Sequence, residues 1–125
     1  MQVQPIKPLS FGYKNRLKTE WLKGKLPELK HDFYDGSLLQ KDTITLEHIQ
    51  PKSKGGKTTL TNLVLTNYNN NMRRGNRDIR QYINKEAARK YLEEASKIKT
   101  HDIDGEKYAK SLFNKLRSMG VDLLC

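Results

Sequence analysis

Residues 43–75 constrain the fold more than any other part of the chain. Residues 43–49 are rich in β-branched side chains and alternate, with Ile44 and Leu46 on one side, which predicts a strand. Residues 51–61 are almost entirely Lys, Gly, Ser and Thr behind Pro51, the composition of a loop. Residues 62–66 hold Leu63, Val64 and Leu65, the longest purely aliphatic run of the chain, and predict a short buried strand. A helix is expected over residues 67–75. The order is therefore strand, loop, strand, helix, and the chain belongs to the α+β class.

Helices are expected on both sides. Ser10 can cap one that runs to about Lys23, with Tyr13, Leu17 and Trp21 at i, i+4 and i+8 on one face. Gly24 and Pro27 end or interrupt it. Asp35-Gly36 marks a turn between Phe33-Tyr34 and Leu38-Leu39. Asn84 can cap a helix whose face is Ala88, Tyr91, Leu92, Ala95 and Ile98. Asp104 can cap another with Tyr108, Leu112, Leu116 and Met119, stopped by Gly120. By helical spacing, Trp21 and the tyrosines read as core. A chain of 125 residues suits one domain, here residues 1–125, and should bury about two-thirds of its unfolded surface. Its parts are a basic helical segment (1–30), a middle (31–77) and a helical tail (78–125).

No apolar run approaches the roughly 20 residues of a membrane helix. The N-terminus lacks the apolar stretch of a secretory signal. An intracellular, cytoplasmic protein without a membrane partner is expected. Cys125 is the only cysteine, so neither an internal disulfide nor a thiolate zinc site can form.

The formal net charge is +10 and is unevenly placed: +5 over residues 1–30, −3 over 31–50, +3 over 51–71 and +5 over 72–90. Basic segments thus flank a short acidic one that contains Glu47 and His48. That pattern suits a protein that holds a polyanion and sets a cation against it.

Gly56-Lys57-Thr58 looks like the end of a phosphate-binding P-loop, but Pro51 stands where that motif needs its first glycine. A different set carries more: Glu47-His48, Pro51, Gly55-Gly56, Asn62, then Asn71. Histidine can take a proton near neutral pH. Glu and Asn offer oxygens that suit a hard cation which keeps several waters. Lys and Arg nearby can hold flanking phosphates. The loop glycines allow a sharp turn and close approach by a DNA backbone. One obstacle is that neighbours in a strand point to opposite faces, so Glu47 and His48 share a site only if the strand ends or bends there. Pro51 supports an ending.

The stretch LEHIQPKSKGGKTTLTNLVLTNYNNNMRRGN resembles the HNH endonucleases, whose core is a ββα-metal fold. The steps from His48 to Asn62 and on to Asn71 are similar to those of the HNH domain in RNA-guided CRISPR effector nucleases. The resemblance implies a ββα-metal core over residues 31–77. It makes His48 the general base and Asn62 the residue that holds the loop and orients His48. Glu47 and Asn71 become ligands of Mg²⁺ or Mn²⁺. Many such proteins carry two Cys pairs around a structural zinc. Here Asp32, Asp35, Asn67 and Asn70 occupy those places, so no structural zinc is expected, and hydrogen bonds among Asp and Asn side chains would do the stapling. Glu47 stands in place of the commoner Asp.

The function expected is a divalent-metal-dependent endonuclease that nicks or cleaves DNA, double-stranded in the first place; the motif does not separate DNA from RNA. Lys52, Lys54 and Lys57 of the loop and Arg73, Arg74 and Arg77 of the helix are the expected phosphate contacts. Small free-standing HNH proteins often come from phages or mobile elements, which would place this one in a host cytoplasm. The alternative is a non-catalytic nucleic-acid-binding or inhibitor protein on the same scaffold. Under it, Asn62 is a turn residue, the Asn67 to Asn71 cluster a cap region, and the arginines a solvated face.

Overall fold

The computed structural model describes residues 6–124, with side chains described from Arg16 onward. Among these the order is α1 (Ile6–Lys25), β1 (Ile44–His48), β2 (Leu63–Asn67), α2 (Tyr68–Arg74), α3 (Ile79–Tyr82), α4 (Lys85–Ser96) and α5 (Gly105–Ser118). The strands pair antiparallel, with Leu46 opposite Leu65 and Glu47 opposite Val64. The class is α+β: a hairpin followed directly by α2, with further helices before and after. The 43–49 and 62–66 strands and the 67–75 helix all form, each shifted by about one residue. The four-residue α3, capped by the Asp78 side chain on the Arg80 N–H, has no counterpart in the sequence reading.

A two-stranded sheet is marginal alone and has two open edges. Side chains from the flanking helices close both. On the β1 edge, the Leu46 N–H donates to Thr19 Oγ1 of α1 at 3.2 Å, and Asn71 Nδ2 of α2 donates to the Leu46 carbonyl at 3.0 Å. On the β2 edge, the Leu65 N–H donates to the Tyr91 hydroxyl at 2.9 Å, and the Tyr108 hydroxyl donates to the Leu63 carbonyl at 2.8 Å. The two hydroxyls lie 2.9 Å apart, so Tyr91 completes the relay by donating to Tyr108. Burial pushes both phenols well above the ordinary tyrosine value.

The buried apolar cluster runs from Leu22 and Leu26 through Phe33, Ile49, Leu63 and Leu65 to Tyr91, Leu112, Leu116 and Leu123. The tail helices bury the expected faces, and Asn84 and Asp104 cap them through side-chain oxygens.

The first helix departs from expectation. Its backbone is helical from Ile6, so Ser10 lies inside it rather than at its cap. Leu17 and Trp21 are 54% and 45% exposed, while Thr19 and Leu22 are buried; the Tyr13 side chain lies outside the described residues. The cause is the β1 edge. Thr19 turns inward to take the Leu46 N–H, on the side of the helix that also buries Leu22 and Leu26. Tyr68 is likewise exposed rather than core.

Candidate active site

The four residues at the expected zinc positions form a hydrogen-bonded staple. Asp32 is fully buried. Its Oδ1 accepts from the Tyr34 N–H and the Thr66 hydroxyl, each at 2.7 Å. Its Oδ2 accepts from the Asn67 N–H at 2.7 Å and from Asn70 Nδ2 at 3.0 Å. The same Asn70 nitrogen donates to Asp35 Oδ2 at 2.9 Å. Asn67 turns its own amide outward, accepting from the Gln40 N–H and donating to the Leu38 carbonyl. One buried carboxylate thus ties the 31–38 turn to the junction of β2 and α2 without a thiolate. No group of three or more His, Cys, Asp and Glu side chains gathers to hold a metal among the described residues.

Glu47 sits one step along β1, where α2 crosses. Its Oε2 accepts from the Tyr34 hydroxyl at 2.6 Å and from Arg74 Nη1 at 3.2 Å; its Oε1 accepts from the His48 N–H at 3.1 Å. Burial pushes the carboxyl up from its usual value, and the Tyr34 hydroxyl and Arg74 guanidinium work against that by holding the charged form. Three donors on one carboxylate describe an ionised side chain in the interior.

Arg74 is therefore not displayed to a phosphate. It is 1% exposed and also donates to the carbonyls of His48 and Arg77. Its position three residues after Asn71 puts it on the inward face of α2. The expectation of a surface cation fails here because the buried Glu47 needs a counter-charge. Arg73 and Arg77, on the outer side, are exposed, as are Lys52, Lys54 and Lys57. The 52–54 turn meets the end of α2: Lys54 Nζ donates to the Asn76 carbonyl at 3.0 Å. Of the loop cations, Lys54 thus reaches the chain just beyond α2.

His48 ends β1; its ring reaches the loop while the Glu47 carboxylate reaches Tyr34 and Arg74, so the two side chains share no partner. His48 is half-buried, and Nε2 lies 2.9 Å from Thr58 Oγ1 across the loop. Nδ1 has no hydrogen-bond partner among the described residues. Partial burial and the nearby charges of Lys52 and Lys18 hold the imidazole below its ordinary value of 6.5. Thr58 and Lys18 were not singled out as partners of His48; only the fold brings 18, 48 and 58 together.

Asn62 is buried and binds the loop. Its Oδ1 accepts from the Gln50 N–H at 2.8 Å, and its Nδ2 donates to the carbonyls of Gln50 and Lys57 at 3.1 and 2.9 Å. None of these bonds goes to His48; the Asn62 side chain acts on residues 50 and 57, which both follow it. The loop glycines serve the same closure. A Cβ on Gly56 would run into the Gln50 carbonyl, and Gly55 has φ +90°. At Gly56 the close approach is thus made by the chain's own backbone, where the sequence reading expected that of DNA.

Asn71 commits Nδ2 to the Leu46 carbonyl, which leaves Oδ1 without a partner among the described residues. The peptide it holds is the one that joins Leu46 to Glu47. Glu47 Oε1 carries a single hydrogen bond. Two hard oxygens with spare lone pairs therefore flank this part of β1. Among the described residues, no helix is long and apolar enough to cross a membrane.

No curated protein and no solved structure matches the chain. The model of a family described as HNH endonuclease matches residues 31–77. That span begins one residue before Asp32 and ends just beyond α2, enclosing the staple, Glu47, His48, Asn62 and Asn71. HNH endonucleases act on nucleic acids and typically use a divalent metal. Over residues 31–77 this chain is similar to the HNH endonuclease family.

Proposed function

We propose that the chain is a divalent-metal-dependent endonuclease that hydrolyses DNA phosphodiester bonds. The observation that carries this reading is the free Nδ1 of His48 inside the matched segment. With Nε2–H donating to Thr58, Nδ1 holds the lone pair and is available to a water. The depressed basicity keeps the imidazole neutral at physiological pH, the form a general base needs.

The donor set fits a hard cation such as Mg²⁺ or Mn²⁺: Glu47 Oε1 and Asn71 Oδ1 are oxygen donors with spare lone pairs, and two protein ligands leave room for waters and a phosphate. Such a cation would supply positive charge to the phosphate under attack. His48 takes the proton of the attacking water as the new P–O bond forms and the ester P–O bond breaks, and the leaving ester oxygen takes a proton from solvent water. Asn62 holds residues 50 and 57 in place around it. Arg74 and Tyr34 fix Oε2 of Glu47, and Oε1 takes only the His48 N–H. Lys52, Lys54, Lys57, Arg73 and Arg77 hold flanking phosphates of a duplex.

The ion pair between Arg74 and Glu47 favours one second reading, a protein that binds nucleic acid on an HNH scaffold without cutting it. A guanidinium on Glu47 is a resident cation that already neutralises the carboxylate. A supercoiled-plasmid assay with Mg²⁺, Mn²⁺ or EDTA, run beside a gel shift, separates the two. Metal-dependent nicking or linearisation supports the endonuclease. Binding without cutting in either metal supports the second reading.

A further inference from the structure

We propose that a cavity beside the end of α2, walled on one side by Arg74, binds a phosphate group that is either free or at the end of a strand. This goes beyond the endonuclease reading and does not depend on it. Three residues of the wall, Asp78, Ile79 and Met119, lie outside the segment that matches the HNH family.

Arg74 provides the starting observation. Its guanidinium carries N–H donors fixed in one plane. Nη1 is taken by the Tyr34 hydroxyl, Glu47 Oε2 and the His48 carbonyl, and Nε donates to the Arg77 carbonyl at 2.8 Å. Nη2 is buried and has no hydrogen-bond partner among the described residues. An idle buried donor on a charged group is costly, so it marks a place where an acceptor belongs. In a guanidinium, Nη2 shares an edge with the Nε–H, so it looks to the same side as the bond to Arg77. From Arg77 the chain runs on into Asp78 and Ile79, which with Gln50, Pro51, Lys54 and Met119 enclose about 210 Å³ against Arg74.

The surrounding charges say which acceptor fits. Asp78 gives both oxygens to Arg80, and the Arg74 charge is matched by Glu47. Two ammonium groups remain. Lys54, on the wall, donates to the Asn76 carbonyl at 3.0 Å, and Lys115 donates to Oε1 of Gln50, another wall residue, at 2.8 Å. Neither forms a salt bridge among the described residues. A water would serve Nη2 and leave both ammonium charges unmatched; an oxyanion serves all three. Access selects its form. Arg74 is 1% exposed, so an internal phosphate of a duplex, esterified on both sides, does not reach it. A free phosphate or a terminal phosphate monoester is small enough to enter, and carries about two negative charges on three or more acceptor oxygens.

The test is titration of the full chain with inorganic phosphate at constant ionic strength in chloride, followed by calorimetry and by NMR of ¹⁵N-arginine-labelled protein. The expected result is saturable uptake of one phosphate per chain, with the Arg74 Nη signals shifting along the same isotherm. Arg74→Lys keeps the charge beside Glu47 but not the second nitrogen, and should weaken binding about tenfold or more; Lys54→Met and Lys115→Met should weaken it several-fold each. Lys97→Met, an exposed lysine off the cavity wall, controls for net charge and should bind like the wild type. If circular dichroism shows Arg74→Lys unfolded, the lysine variants and the wild-type Arg74 signals still decide. No saturable binding by the wild type overturns the proposal, as do Arg74 signals that stay still while phosphate binds. Binding unchanged in both Lys54→Met and Lys115→Met, or weakened equally in Lys97→Met, overturns it too. A dinucleotide with and without a 5′-phosphate identifies the source. Tighter binding of the phosphorylated form than of inorganic phosphate gives the cavity to a strand end, and the reverse order gives it to the free ion; either supports the proposal. Plasmid cleavage is scored separately. A protein that binds phosphate through Arg74 and never cuts keeps this site and loses the endonuclease reading, and one that cuts without binding phosphate loses this site alone.

Discussion

Replacing Asp32 by alanine should be among the most damaging single changes outside the apolar core. Four donors converge on its buried carboxylate: the Tyr34 and Asn67 N–H groups, the Thr66 hydroxyl and the Asn70 amide, at 2.7 to 3.0 Å. A hydrogen bond to a charged acceptor is worth about 1.5–3 kcal/mol, and four of them do not add in full. Removing the charged hub of a buried network costs about 3–5 kcal/mol. With an unfolding entropy of about 2.1 cal/mol/K per residue, a chain of 125 residues should lose about 10–20 °C in Tm. Asp32→Asn tests the mechanism without a cavity. Each carboxylate oxygen takes two donors, so either orientation of the amide sets its NH₂ against a pair of them, and most of the loss should remain. Asp35, exposed and sharing Asn70 with Asp32, should cost about 1 kcal/mol or less on truncation. Thermal and urea unfolding followed by circular dichroism give these numbers. A loss below about 1 kcal/mol for Asp32→Ala would refute the idea that this carboxylate replaces a metal staple.

Three further outcomes are expected. Arg74→Ala leaves the Glu47 carboxylate buried without its counter-charge and should lower stability by about 3–5 kcal/mol in denaturant titration, rather than merely weaken DNA binding. Tyr34, Tyr91 and Tyr108 all have hydroxyls raised well above 10.0 in the fold, with burial the largest cause, so the unfolded chain loses these protons first. Their contribution to stability is complete below about pH 10 and is lost as pH rises beyond it, and absorbance at 295 nm should show these phenols ionising together with unfolding. The His48 imidazole is held below 6.5 by burial and by Lys52 and Lys18, so the acid limb of the cleavage rate should lie below 6.5 and move upward in Lys52→Ala; a limb at or above 6.5 in the wild type would contradict the geometry.

Local signals were legible in the sequence and long-range demands were not. The caps Asn84 and Asp104 and the buried faces of α4 and α5 follow from helical period alone. The staple could be anticipated because Asp32, Asp35, Asn67 and Asn70 stand where, by the resemblance, HNH proteins carry their zinc-binding cysteines. Arg74 could not be read correctly from a charge run, since nothing local distinguishes it from Arg73; what buries it is Glu47 on a strand 27 residues away. The same holds for α1. Its Tyr13, Leu17 and Trp21 spacing is a sound helical face, yet the orientation is chosen by the Leu46 N–H, which only the assembled hairpin leaves open. Tyr91 and Tyr108 read as apolar core and are buried, but their hydroxyls close the other sheet edge, a role that period cannot reveal.

The most direct test of the central claim compares wild type and His48→Ala in single-turnover cleavage of supercoiled plasmid with saturating Mg²⁺ or Mn²⁺, with DNA affinity measured in parallel without metal. The account predicts metal-dependent cleavage by the wild type, a rate about 10²–10⁴-fold lower for His48→Ala, and an affinity within about twofold, since phosphate contacts carry binding. Cleavage by His48→Ala at the wild-type rate would remove the imidazole from the mechanism, and with it the account of the site.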